Sequence, residues 1–187
     1  MDERDRKIIS ILQRSGRPTL SEIGEAIGMS AMGAKKRIHR LESKNMVRLT
    51  TLLNTEKLGV LTAILAMEVE SSAALERLLK KFENCPRIIK FFVTTGGYNL
   101  FALIWAEDLH SLESVTLEKC SLRAQPGIRR YEVYPVQGIH YDPFLEIRVV
   151  ADKVSSAPCG VDCGSCSRYR TGKCLACPAT VYYRGKL

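Results

Sequence analysis

This chain is short of the residues on which most acid–base and nucleophilic enzymes depend. Its 187 residues include three histidines, His39, His110 and His140, and a single tryptophan, Trp105. No Ser/His/Asp set, glycine-rich phosphate loop or pair of acids at useful spacing stands in it. His39 lies in a basic stretch and His110 at the start of an expected helix, places that suit solvated or capping roles better than catalysis. No apolar run approaches the ~18 residues of a membrane span. The opening MDERDRK is charged where a secretion signal has its apolar stretch. Internal repeats and low-complexity tracts are also lacking. These absences predict a cytoplasmic protein that is not an enzyme and has no membrane partner.

Cysteine and positive charge, by contrast, are concentrated. Five cysteines, Cys159, Cys163, Cys166, Cys174 and Cys177, fall in the stretch CGVDCGSCSRYRTGKCLACP. In a reducing compartment such a cluster is read as metal ligands before disulfides. The formal net charge of +8 favours a polyanionic partner. Between positions 35 and 48 lie Lys35, Lys36, Arg37, Arg40, Lys44 and Arg48, opposed only by Glu42.

Periodicity predicts an α+β fold in several parts. Residues 2–15 read as a helix with Ile8, Ile9, Ile11 and Leu12 in its apolar stripe. Thr19-Leu20-Ser21-Glu22 fits a capping box that opens a second helix, ended at Gly28. Ser30 caps a third helix through about residue 45. Together they form a winged or plain helix-turn-helix over 1–47. Val47–Leu53 reads as a strand or hinge, and 48–59 as the hinge region. From 60 to 138 the order β-α-β-β-α-β predicts a ferredoxin-like domain with an antiparallel sheet. Residues 139–158 read as a linker with some strand character, and 159–187 as a small Cys-rich metal knuckle.

The third helix is the expected DNA reader. Such a helix enters the major groove with its leading turns against the base edges. Ser30, Met32, Lys35, Lys36, Arg37, His39 and Arg40 are the candidate contacts. The basic side chains would neutralise phosphates of double-stranded DNA and release counterions. The first turn offers few hydrogen-bond donors, so apolar contact with thymine methyls or DNA shape would share the reading.

The stretches DERDRKIISILQRSGRPTLSEIGEAIGMS, KKRIHRLESKNMVR, TEKLGV and VTTGGYNLFALIWAEDLHSLESV resemble the Lrp/AsnC family of transcription regulators, over about residues 2–138. That resemblance implies a helix-turn-helix joined to a ferredoxin-like ligand-binding domain that forms homodimers or higher homo-oligomers. It implies small effectors, commonly amino acids, bound near the Gly-Gly turn, which puts Gly96, Gly97, Tyr98 and Asn99 at the effector site. The family often carries Asp after the aromatic, whereas this chain has Asn99, which supplies no charge. Siroheme decarboxylases of haem biosynthesis resemble the same architecture and share the Tyr98-Asn99-Leu100 triplet, so they form the alternative reading. Before that triplet, however, stands Thr95-Gly96-Gly97, where those enzymes tend to carry His and other polar groups.

The two CxxC pairs of the tail match a four-thiolate zinc site. Cys159 is a fifth thiol beyond what zinc needs, and Cys177-Pro178 is similar to the close of ferredoxin-type motifs, so an iron–sulfur cluster is the alternative cofactor. Gly164 and Gly172 would permit close approaches of backbone to sulfur. Cys85 and Cys120 fall in or near amphipathic helices and read as small apolar packing residues.

Overall fold

The computed structural model describes residues 1–187, which divide into two compact units, Met1–Thr50 and Thr51–Leu187. The first is all helical: α1 Glu3–Arg14, α2 Leu20–Ala26 and α3 Ala31–Ser43. Each begins where the sequence supplies a cap. Asp2 and Asp5 close a capping box on α1, and Thr19 and Glu22 close another on α2. The Ser30 hydroxyl accepts from the Gly33 N–H at 3.2 Å to open α3. Gly28 sits at φ 66°, a left-handed conformation that L side chains rarely adopt, and so permits the tight turn between α2 and α3. Ile8, Ile23, Ile27, Ala34 and Leu41 form the core. No strand forms in this unit, so the helix-turn-helix is plain rather than winged.

The expected strand over Val47–Leu53 is reduced to β1, Leu53–Asn54. It pairs with β6, Phe144–Leu145, in the segment read as a linker. Hinge and linker thus belong to the second unit. After the single turn of α4, Thr55–Leu58, come β2 Leu61–Val69, α5 Ser72–Phe82, β3 Ile88–Val93, β4 Leu100–Ala106, α6 Leu109–Leu117 and β5 Ile128–Pro135. The four long strands make an antiparallel sheet in the order β3-β4-β2-β5.

Strand alternation decides which side chains meet the helices. Ala63, Leu65, Met67 and Val69 of β2 and Leu100, Ala102, Ile104 and Ala106 of β4 pack with Ala74, Leu78 and Phe82 of α5 and Leu112 of α6. The register brings the two rows side by side, Leu65 opposite Ala102 and Ala63 opposite Ile104. The other face carries Ile64, Phe92 and Tyr134, which are 40%, 53% and 50% exposed.

The cysteine tail is not a separate knuckle. It holds the short helix α7, Ser167–Arg170, and folds back onto α6. The Arg168 side chain donates to the Ser114 hydroxyl at 2.7 Å and pairs with Glu113 at 2.8 Å. Ser114 in turn donates to the C=O of Lys173. The chain end also forms an isolated parallel bridge, Val154 with Thr180.

Candidate functional site

α3 separates its charges by face. Met32, Lys35, Lys36 and His39, spaced i, i+3, i+4 and i+7, all lie exposed, Met32 at 71%. Ala34 and Leu41 face the core. Arg37 and Arg40 do something the sequence did not suggest. Arg37 pairs with Asp2 at 2.7 Å and Asp5 at 2.8 Å, and Arg40 with Asp5 at 2.8 Å. Asp5 is 1% exposed. Burial pushes its carboxyl up, yet the Asp2 N–H and the two guanidinium groups hold it below the ordinary carboxylate value. The backbone N–H of Asp5, followed by Arg37, brings Asp2 down to about 2. These ion pairs clip α1 to α3. Ser30 has its hydroxyl engaged in the cap, at the leading edge of the same exposed face.

At the other candidate site, Thr94 closes the turn between β3 and β4. Its N–H donates to Asn99 C=O at 3.0 Å and its hydroxyl to Tyr98 C=O at 2.7 Å. A side chain added at Gly97 would meet nothing within 4 Å, and one at Gly96 only the Tyr98 carbonyl at 3.7 Å, so the glycines keep the turn open. The Asn99 amide extends the sheet by one step. Its Nδ2 donates to the C=O of Val69 and its Oδ1 accepts from the Val69 N–H, both at 2.8 Å. The Tyr98 hydroxyl donates to Glu132 on β5, and so does that of Tyr134. These two hydrogen bonds hold the Glu132 carboxyl below its ordinary value. Glu132 escaped the sequence reading because it lies 33 positions beyond the turn and only the sheet brings it there.

A cavity of about 60 Å³ lies between α5, α6 and the tail, and all seven cysteines line it. The five expected tail thiols are joined by Cys85 and Cys120. All are free thiols. Burial pushes Cys85 up to about 11 and Cys120 and Cys177 up to about 12, and raises Cys163 as well, so these thiols stay protonated near neutral pH unless a cation compensates them. As arranged, no three Cys, His, Asp or Glu side chains stand close enough to hold a metal ion. The donor set itself, soft sulfur on one cavity, fits a thiophilic group. In its wall the buried Arg87 pairs with Glu107 at 2.7 Å and donates to the Ala176 C=O at 2.7 Å. The aromatic residues of the chain end pack on the tail: Tyr182 meets Tyr169 edge to face, and Arg184 covers the Tyr169 ring.

A helix-turn-helix with an exposed basic face, followed by a ferredoxin-like unit with an open turn, defines a class of regulator that couples a DNA reader to a ligand-binding module. Residues 1–42 match the AsnC-type helix-turn-helix domain and residues 62–143 the Lrp/AsnC ligand binding domain. The HTH-type transcriptional regulator LrpA of Pyrococcus abyssi is 30% identical over 123 residues, 64% of this chain and 85% of that one. The chain belongs to the Lrp/AsnC family of transcriptional regulators. In fold it is similar to a transcriptional regulator of Neisseria meningitidis solved with L-Met (TM-score 0.67, 22% identity, 76% of this chain and 93% of that one). It is likewise similar to E. coli AsnC (TM-score 0.64, 20% identity, 76% and 95%). The relatives carry the names of regulators, which disfavours the decarboxylase alternative. The cysteine tail lies beyond both matched ranges.

Proposed function

We propose that this regulator recognises its operators in sequence-specific fashion through α3, and that a small effector and a tail-bound metal modulate its affinity. The observation that carries the reading is the exposed row Met32, Lys35, Lys36 and His39 behind the Ser30 cap. Lys35 and Lys36 meet phosphates, and Met32 at the leading turn meets base methyls. Arg37 and Arg40 act from behind by locking α3 against α1, and Arg40, 47% exposed, also reaches the DNA backbone. Paired copies would place two reading helices on half-sites one helical turn or a multiple apart. The setting is the cytoplasm, where thiols remain reduced.

The effector is proposed to sit at the turn Gly96, Gly97, Tyr98 and Asn99. The Asn99 amide is taken up by Val69, so recognition falls to the open glycine backbone and to the Tyr98–Glu132 pair. Glu132 would supply the negative charge for an ammonium group that Asn99 lacks, and this favours an amino acid. The fold neighbour solved with L-Met supports the same class. The tail cysteines Cys159, Cys163, Cys166, Cys174 and Cys177 are proposed to hold zinc or, in the alternative, an iron–sulfur cluster. When bound, either would compensate thiolates and staple the tail.

The test is binding of the full chain to its own promoter and to random DNA of equal length, followed by fluorescence anisotropy across a salt series. A salt-sensitive preference for the promoter is expected. Equal binding to both would overturn the reading.

A further inference from the structure

Cys85 and Cys120 come from the βαββαβ part of the second unit, yet they open onto the same cavity as the five tail thiols. Cys85 lies in the turn after α5, where its N–H donates to the Phe82 C=O at 3.0 Å. Cys120 follows α6, with its sulfur 3.6 Å from the Ser114 C=O. Cys159 packs against the sheet core and against the small tail core alike, so it stands at the seam between them. The two thus share one cavity with all five tail cysteines.

The walls of this space are held in place. Arg168 is fixed to Ser114 and Glu113 on α6, and Arg87 reaches across to the Ala176 C=O between Cys174 and Cys177. Cysteines from two parts of the chain therefore line one cavity framed on both sides.

We propose that the metal centre is composite, with Cys85, Cys120 or both ligating the same thiophilic ion or cluster as the tail cysteines. The proposal rests on the reading of the tail as metal-binding. A tail that carried its own closed site would need nothing from the sheet domain. A composite site instead turns metal-binding energy into docking energy, so that metal loss would loosen the tail from the ligand-binding fold.

The probe is cobalt(II), titrated anaerobically into the full chain and read by sulfur-to-cobalt charge-transfer absorption, cobalt per chain and chelator competition. Cys85→Ala, Cys120→Ala, the double variant and the control Cys174→Ala are compared, each checked for folding by circular dichroism. The double variant is expected to bind about ten-fold or more weakly, the low end of what lost metal-site partners cost, and to show altered charge-transfer bands. If the wild type binds cobalt and the double variant matches it in affinity and spectrum, the site is confined to the tail and the composite proposal falls. Should the double variant not fold, the single variants decide: a changed spectrum in either supports the proposal, and wild-type behaviour in both overturns it. If the wild type takes up no cobalt, the metal reading itself fails, and the composite site with it.

Discussion

Asn99 donates to the C=O of Val69 and accepts from its N–H. Among side chains of this size only an amide does both. Asn99→Asp would set a carboxylate oxygen against a carbonyl, and a loss of about 1–3 kcal/mol is expected, the usual cost of leaving such a polar group unsatisfied. Urea unfolding followed by Trp105 fluorescence measures it, and an unchanged midpoint would show the amide pairing to be dispensable. Asp2 is the second case. Its folded value of about 2 lies below the ordinary value near 3.8, so it contributes stability that is fully present above that ordinary value. The contribution is lost as pH falls from about 4 through 2. Melting of the full chain between pH 2 and 6 should show helical signal lost at lower temperature as acid is added, and Asp2→Asn should flatten that part of the curve. A parallel curve for the variant would mean that Asp2 carries none of it.

At the scale of elements, α3 owes its solvent face to Lys35 and Lys36, whereas Arg37 belongs to its packing on α1 and Arg40 shares both roles. Lys35 and Lys36 should therefore report on phosphate contact alone. Lys35→Ala and Lys36→Ala should each lower the slope of log affinity against log salt by about 0.9, the counterion release of one phosphate contact. A slope unchanged in both would remove α3 from the phosphate interface. The helices and long strands were legible in the sequence because caps and apolar patterning are local: Thr19 with Glu22 and the apolar run along β2 each declare one element. The pairing of β1 with β6 was not legible, because two-residue strands carry no periodicity and their partners lie about 90 positions apart.

For the whole molecule, the sheet face turned away from the helices leaves Ile64 and Tyr134 exposed opposite one another on β2 and β5, and Phe92 exposed on the edge strand β3. Exposed apolar residues of this kind can mark an association surface, and this face is the proposed seat of homo-oligomer contact. Ile64→Glu should shift the chain to a smaller species in sedimentation velocity at a concentration where the wild type is associated. An unchanged distribution would place the interface elsewhere.

The sequence by itself determined the element types, the helix-turn-helix with its basic face and the soft-sulfur character of the tail. These follow from short-range chemistry: caps, the periods of helix and strand, and side-chain type. Only the tertiary structure decided which of those residues act together. It bound Arg37 and Arg40 to Asp5, brought Glu132 to Tyr98, and gave Cys85 and Cys120 the same cavity as the tail cysteines. Each of these meetings joins positions more than thirty residues apart, and their reason is the packing of helices and tail against one sheet or one core, which no local pattern encodes.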